Sequence, residues 1–195
     1  MTSTAESRAG ARGRRSRADW VESALTALAA DGIEGVRIDR LCRDLGVTKG
    51  SFYWHFDGRD ALLDAMVDYW SEEQPVLAIA ALESVKGDAL TRLARMEQMV
   101  VQRDIGRRDH AMRSWAANDK RAARAVAVAD AKILSFVEQE LRGLGLEERD
   151  VFDFSRILFF TAIGSYTAPE LVAGDSRRRI SQRLLGVIRE RARSD

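Results

Sequence analysis

The chain has little proline and cysteine, and what it lacks limits its fold class. Only two prolines occur, Pro75 and Pro169, among long stretches rich in Ala, Leu, Arg and Glu, and strand-like alternation is hard to find. Because proline disrupts helix interiors and these residues favour helices, the composition predicts an all-α fold. The single cysteine excludes an internal disulfide, which suits a reducing compartment.

Long apolar runs are also lacking. The most apolar window, Ile157 to Ile163, is much shorter than the roughly 18 residues that a bilayer-spanning helix needs. No charged-then-apolar leader is recognisable at the start of the sequence. We therefore expect a soluble cytoplasmic protein without a membrane partner.

Groups that carry catalysis are scarce. The chain has two histidines and one cysteine, and no His, Cys and carboxylate cluster has metal-ligand spacing. Glycine-rich nucleotide loops and nucleophile elbows are missing as well. We predict no enzyme activity, no metal and no cofactor. Net charge is only +1, so any affinity for nucleic acid must come from local charge.

Residues 1–16 are rich in Ser, Ala, Gly and Arg and show no periodicity, which predicts a flexible basic arm. Two interpretations stay open for this arm. It is either a solvated tail or a segment that lies along a DNA backbone or enters a minor groove. Its arginines are Arg8, Arg12, Arg14 and Arg15.

Three short helices are predicted within residues 17–56. Apolar residues at helical spacing place them at about Arg17 to Ala30, Ile38 to Leu45 and Lys49 to His55. The pair Asp31-Gly32 ends the first helix. Three helices joined by short turns in about forty residues match a helix-turn-helix head.

The most informative segment is GVTKGSFYWHF, from Gly46 to Phe56. Gly46 accepts a left-handed backbone and is predicted to end the second helix, while Thr48 is predicted to cap the third. Phe52 is the expected inward anchor of that third helix. The other side chains carry hydroxyl, ammonium, phenol, indole and imidazole groups, which suit a surface that contacts phosphates and base edges.

The region 57–195 is predicted to form a larger helical domain for ligand binding and dimerisation, giving the chain about nine helices. The fourth helix, from Asp57 to about Ala80, would link head and body, and Pro75 is expected to kink or end it. The eighth, from about Glu147 to Ala168, is apolar almost all round and needs cover on more than one side.

Two sources of cover for the eighth helix stay open. The rest of the monomer provides it, or a second subunit does so in a four-helix interface that includes the last predicted helix, about Asp175 to Arg193. The candidate interface residues are Ile157, Phe159, Ile163, Leu184 and Ile188.

Methionine and aromatic side chains on the body helices are candidates for the wall of a ligand pocket. The alternative for each of them is ordinary core packing. Acidic residues do not cluster in these stripes, which predicts a largely apolar or neutral ligand. The candidates are Met66, Trp70, Met96, Met99, Met112, Trp115 and Phe160.

Residues Asp19 to Met66 resemble the tetracycline-repressor (TetR) family of bacterial transcription regulators. The likeness includes Ala-Ala-Asp-Gly at the end of the first helix, Gly46-Val47-Thr48-Lys49-Gly50 and Tyr53-Trp54-His55-Phe56. It implies a homodimer whose third helices enter successive major grooves of a palindromic operator in double-stranded DNA. It also implies a small-molecule effector, so the expected function is a ligand-responsive repressor. The alternative is a helical adaptor or sensor that acts through protein contacts without sequence-specific DNA binding.

The resemblance implies roles for single residues as well. Lys49, Gly50 and Tyr53 fall where family members meet base edges. Arg59 falls at a basic position that contacts phosphate, and Arg37 departs from the Thr or Ser that usually caps the second helix. The positions that meet the DNA backbone and nearby bases are Thr48, Ser51, Trp54 and His55, and the arm adds Arg14 and Arg15.

Overall fold

A computed structural model describes residues 15–102, 105–172 and 175–194. Within these ranges the chain is helical and contains no β-strand, which confirms the predicted all-α fold. The chain divides into two compact units, one that ends at Met66 and one that begins at Val67. The predicted end of the DNA-binding domain, at residue 56, lies before this division. The predicted arginines Arg8, Arg12 and Arg14 lie outside the described residues.

The N-terminal unit contains helices α1 (Arg17–Asp31), α2 (Ile38–Leu45), α3 (Lys49–Tyr53) and most of α4 (Arg59–Asp68). Helix α1 begins with a capping box, in which the Ser16 and Asp19 side chains each accept the other's backbone N–H. The corner between α2 and α3 is Gly46, whose φ of 69° and ψ of 35° are left-handed, as predicted.

The core of this unit forms around Phe52. Its ring lies edge-on to Trp20 with ring centroids 5.3 Å apart, and it stacks on Phe56 at 5.4 Å. All three side chains are buried. Aromatic pairs of this kind add roughly 0.5–1.5 kcal/mol beyond the area they bury. They hold the short helix α3, which is too short to be stable alone.

Helix α4 continues through a π-helical turn, Tyr69–Glu73, into α5 (Gln74–Glu83). Pro75 lies in the first turn of α5, so the predicted interruption takes the form of a π turn and the helical path does not end there. Proline has no N–H to donate to the carbonyl of Ser71, four residues earlier. The Lys132 ammonium donates to that carbonyl at 2.9 Å and also pairs with Glu72.

The C-terminal unit continues with α6 (Ala89–Gln102), α7 (Ile105–Ala116), α8 (Lys120–Arg142), α9 (Glu148–Thr167) and α10 (Ser176–Arg191). Its core contains Leu82, Met99, Phe136, Leu141 and Ile188. The predicted helices of the body agree with these bounds to within a few residues. Asp119 caps α8 by accepting the N–H groups of Arg121 and Ala122.

Gly106 lies inside a helix and does not break it. It is the second residue of α7, and its missing side chain permits a close packing contact. A Cβ on Gly106 would lie 2.8 Å from the Cβ of Tyr166 on α9. The glycine therefore allows helices α7 and α9 to pack closely at this point.

Candidate nucleic-acid interface and ligand cavities

Helix α3 buries one side chain and presents its neighbours to solvent. Phe52 is fully buried, whereas 56% of Tyr53 and 65% of Trp54 are exposed. Lys49 and Gly50 are exposed as well, and Ser51 and His55 are half-buried. The structure therefore brings the predicted recognition residues onto one accessible part of the N-terminal unit. Neighbouring exposed aromatic rings are uncommon away from binding surfaces.

No packing contact among the described residues requires a glycine at position 50. A Cβ built there would meet only the Thr48 hydroxyl, at an ordinary 3.6 Å. Glycine costs up to about 1 kcal/mol relative to alanine inside a helix. The bare backbone therefore carries a cost that no internal contact of Gly50 explains, and it leaves room for a partner outside the chain.

The ammonium of Lys49 is paired with a carboxylate of the preceding helix. Its Nζ lies 2.6 Å from Oδ1 of Asp39, and both side chains are about two-thirds exposed. Their hydrogen bond and mutual charge raise the pKa of Lys49 and lower the pKa of Asp39. Exposed pairs of this kind are weak, so phosphates or base edges can compete for the lysine.

The residue that precedes α1 is tied to the helix-turn-helix. The Arg15 guanidinium donates to the carbonyl of Leu45 at 3.1 and 3.2 Å, and the Arg15 carbonyl lies 2.7 Å from Nε2 of His55. Arg15 and His55 were predicted as DNA contacts. Their own contacts place the start of the first helix beside the end of α2 and of α3.

Three further predicted residues differ in detail from expectation. Thr48 occupies the N-cap position of α3 but makes no capping hydrogen bond with its side chain, because the backbone closes the turn through Ser51 N–H and Thr48 C=O at 3.0 Å. Arg37 is exposed at the N-cap of α2 and also makes no side-chain cap. Arg59 donates to the carbonyls of Ile33 and Val36, both at 2.8 Å, and so secures the turn before α2.

The C-terminal unit contains a cavity of about 120 Å³, here called the Trp70 cavity. Trp70, Met96 and Met99, three of the candidate wall residues, line it together with Phe159 and Tyr166. Its wall begins at the π turn, which contains Trp70, and extends to α9. Aromatic and methionine side chains with a few polar groups are the usual composition of a small-molecule site.

A charged network forms the polar part of this wall. Arg113 donates to both carboxylate oxygens of Asp130, at 2.7 and 2.9 Å, and to Asp109 at 2.6 Å, and the Tyr166 hydroxyl donates to Asp109. Burial opposes the charge of Arg113, but its hydrogen bonds to Asp130 and Asp109 outweigh burial and raise its pKa. Burial and the Asp109 carboxylate raise the pKa of Tyr166, which keeps the phenol a donor.

This network brings two acids into the wall of the Trp70 cavity, although acidic residues do not cluster in the apolar stripes of the sequence. Asp109 and Asp130 lie on different helices, so no cluster is visible along the sequence. The sequence signal for this network was the spacing of Asp109 and Arg113, which are four residues apart on one face of α7.

Four predicted wall residues lie elsewhere. Met66, Met112 and Trp115 are buried as core, and Phe160 is 65% exposed and lines neither of the cavities described here. The neighbouring Phe159 takes the place expected of Phe160, since successive helical residues point about 100° apart. Within α9 the two phenylalanines therefore exchange their predicted positions.

Of the predicted dimer residues, one is exposed and the others line a cavity or lie in the core. Ile157 is exposed, but Phe159 and Ile163 line the Trp70 cavity, and Leu184 lines a second cavity. Ile188 is fully buried in its own core, so it presents no surface to a partner. Four accessible apolar residues of α9 and α10, here called the α9–α10 face, are Ile157, Phe160, Ile180 and Val187; Phe152 near the start of α9 is exposed as well.

The second cavity, of about 300 Å³, was not predicted and is here called the Arg177 cavity. It lies among α6, α9, the 3-10 turn Pro169–Val172 and α10, and most of its wall is apolar. Arg177 and Glu97 face each other with Nε and Oε1 3.7 Å apart. Nη2 of Arg177 is buried and has no hydrogen-bond partner in the described part of the chain.

Two kinds of feature are missing from the described residues. None of their helices combines the length and the apolarity needed to span a bilayer. Their His, Cys, Asp and Glu side chains form no group of three or more suited to a metal ion.

The described elements define a class: an all-helical protein with a helix-turn-helix unit at its N-terminus. Residues 21–66 match the family model described as bacterial regulatory proteins, tetR family. Within this segment the chain is therefore similar to the tetR family of regulators.

Some known proteins resemble the chain in sequence, and others resemble it in fold. An uncharacterized HTH-type transcriptional regulator of Pseudomonas putida, TtgW, is 33% identical over 57 residues, which are 29% of this chain and 42% of TtgW. The chain thus spans less than half the length of this relative. The reduced form of Escherichia coli NemR superposes with a TM-score of 0.73 at 14% identity, covering 90% of this chain and 96% of NemR.

A third match is Bacillus subtilis FadR, a transcriptional regulator solved in complex with stearoyl-CoA. Its TM-score is 0.65 at 14% identity, and the match covers 89% of this chain and 97% of FadR. At these identities the two structural matches establish a shared fold.

Proposed function

We propose that this protein is a DNA-binding transcriptional repressor that a small molecule releases from a palindromic operator. The observation that carries the proposal is the accessible surface of α3, with Lys49, Tyr53 and Trp54 exposed around the bare backbone of Gly50. A lysine ammonium can donate to guanine, a phenol can contact phosphate or a thymine methyl, and glycine permits close approach.

Recognition of a palindrome requires two copies of the chain, whose half-sites lie roughly 34–36 Å apart on DNA. The α9–α10 face supports self-association, because it leaves Ile157, Phe160, Ile180 and Val187 accessible on two helices of one unit. Two copies of a helix pair make a four-helix interface with two-fold symmetry. We therefore propose a homodimer.

The Trp70 cavity is the proposed effector site. Trp70 belongs both to its wall and to the π turn, in which Lys132 replaces a missing backbone donor. π turns are frequent at functional sites. A ligand against Trp70 that prefers one arrangement of this turn would change operator affinity about 5- to 150-fold, for a coupling of roughly 1–3 kcal/mol. FadR, which shares the fold, is solved with stearoyl-CoA.

The test is a gel shift with a palindrome from the promoter region of the protein's own gene. We expect retardation by the wild-type chain, and loss of sequence preference with the dimer retained in Lys49→Ala and Tyr53→Ala. Each lost base contact should weaken discrimination by ~1–3 kcal/mol. Lys86→Ala, an exposed lysine of the C-terminal unit, is the matched control and should bind as wild type.

The outcomes separate the proposal from its alternative. Unchanged operator binding in both α3 variants would mean that the recognition surface lies elsewhere. Absence of retardation at low salt by the intact dimer would favour a helical adaptor that acts through protein contacts.

A further inference from the structure

The Arg177 cavity combines an apolar wall with one unsatisfied donor. Its volume of about 300 Å³ reaches the lower limit of typical small-molecule sites. Leu93, Leu158 and Leu184 are among the apolar residues of the wall. Nη2 of Arg177 is buried without a hydrogen-bond partner among the described residues. A buried donor left in this state costs its full desolvation penalty, so it calls for an acceptor.

The charges of the wall are balanced. Arg177 and Glu97 are the charged residues that line this cavity, and they form a loose pair with Nε and Oε1 3.7 Å apart. The pair balances the charge of the guanidinium but leaves its buried Nη2 without a hydrogen bond. A bound anion would add a second negative charge beside Glu97, and a bound cation would add a second positive charge beside Arg177. Both would be disfavoured in an apolar surrounding.

An uncharged ligand with an oxygen acceptor satisfies these constraints together. A pure hydrocarbon would fill the apolar space but leave the Arg177 donor unsatisfied. We propose that the Arg177 cavity binds a predominantly apolar, uncharged molecule whose ketone-type carbonyl oxygen accepts a hydrogen bond from Nη2 of Arg177. Such a bond involves a charged donor and belongs to the stronger class.

This site differs from the Trp70 cavity in its hydrogen bonding. The two cavities share Met96, Leu158 and Ala162 on their walls. In the Trp70 cavity, however, the Arg113 guanidinium already donates to two carboxylates, so Arg113 is not an unsatisfied donor like Arg177. The inference deepens the proposed function, on which its regulatory meaning rests, but binding at this site can be measured without DNA.

The experiment compares two probes of nearly equal shape, 1-tetralone and tetralin, which differ by one carbonyl group. Affinities are measured by calorimetric titration of the full chain, in wild type and in Arg177→Met. The variant keeps an unbranched apolar side chain but removes the donor. We expect tetralone to bind wild type about 10-fold more tightly than it binds the variant, with tetralin unchanged within about 2-fold.

Matched variants separate the hydrogen bond from other effects. Glu97→Gln should keep the preference for tetralone, and the double variant Glu97→Gln with Arg177→Met should lose it without leaving an unpaired charge. Leu184→Trp, which fills only this cavity, should abolish tetralone binding, whereas Ile133→Trp, which fills only the Trp70 cavity, should not. Thermal melting establishes that each variant is folded.

An equal ratio of tetralone to tetralin affinity in wild type and in the folded double variant would overturn the inference. Tighter binding of tetralin-1-carboxylate or of 1-aminotetralin than of tetralone would overturn the choice of an uncharged ligand. The gel shift without ligand is independent of both results. A failed inference therefore leaves operator binding intact, and a failed operator assay leaves the binding data intact.

Discussion

At the scale of the residue, Gly50 links the stability of the head to its proposed use. The position is helical and exposed, and a methyl group there meets nothing closer than 3.6 Å. Alanine would therefore fit the folded chain and lower the entropy of the unfolded one. A chain that retains glycine here forgoes some stability, and the proposed close approach of DNA is the reason we offer.

Gly50→Ala should therefore separate stability from binding. We expect the free energy of unfolding to stay equal or to rise by up to ~1 kcal/mol. Operator affinity should fall about 10-fold or more, because a displaced base contact is worth ~1–3 kcal/mol. Urea unfolding and gel shift measure the two effects. Gly186→Ala, another helical glycine whose added Cβ meets nothing within 4 Å, is the control and should leave operator affinity unchanged.

Among the helices, α8 has a well-defined N-cap that stabilises its first turn. Asp119 accepts from the N–H of Arg121 at 2.7 Å and from that of Ala122 at 3.4 Å. The side chain of Arg121, followed by these backbone bonds, lowers the pKa of Asp119. Because the pKa is lower in the folded state, the cap stabilises the protein above the unfolded value near pH 4 and is lost as pH falls through the lowered value.

Replacement of this cap gives a prediction with a defined pH dependence. Asp119→Ala should lower the free energy of unfolding by about 1 kcal/mol at pH 7, the usual cost of losing an N-cap. The difference from wild type should shrink as pH falls from 5 toward 2, because wild type then loses the same carboxylate. Urea unfolding across that range is the measurement. Asp119→Asn, which keeps an acceptor that does not titrate, should show a smaller loss at pH 7, and a pH-independent difference for Asp119→Ala would contradict the assignment.

The limits of helix α9 were predictable from the sequence, but the side chains that it buries were not. Its limits, Glu148–Thr167, agree closely with prediction because caps and breakers are local signals. Its faces were not predictable, since Ile157, Phe159, Phe160 and Ile163 make the helix apolar almost all round. Periodicity cannot select a face when apolar residues occupy nearly every position. The neighbouring helices decide that Phe159 lines a cavity and that Phe160 is exposed.

At the scale of the whole molecule, the exposed Phe160 supports the proposed homodimer. Phe160→Glu should shift the chain to monomer and raise the dimer dissociation constant by about 100-fold or more, because each copy would bury an unpaired charge. Analytical ultracentrifugation across micromolar concentrations checks this. Leu77→Glu, at a residue of α5 that is 60% exposed, is the control and should leave the dimer intact. A Phe160→Glu chain that remains a dimer would exclude the α9–α10 face.

The proposed recognition surface and the helix limits follow from residues close together along the chain. Gly46 at a left-handed corner and Phe52 as the inward anchor were both recognisable, because each effect acts within a turn or two of helix. The same holds for the solvent side of α3, where one buried phenylalanine orients its neighbours.

The Trp70 cavity and the Arg177 cavity, by contrast, are lined by residues far apart along the chain. Asp109 meets Asp130 through Arg113, Gly106 admits Tyr166, and Glu97 lies opposite Arg177, each time across two helices. Burial, charge pairing and empty space are properties of how helices pack, and many packings are compatible with the same helical periodicity. Local signals therefore determine the helices and the solvent side of α3, whereas the packing of the C-terminal helices alone decides which of their side chains form a wall, a core or an accessible face.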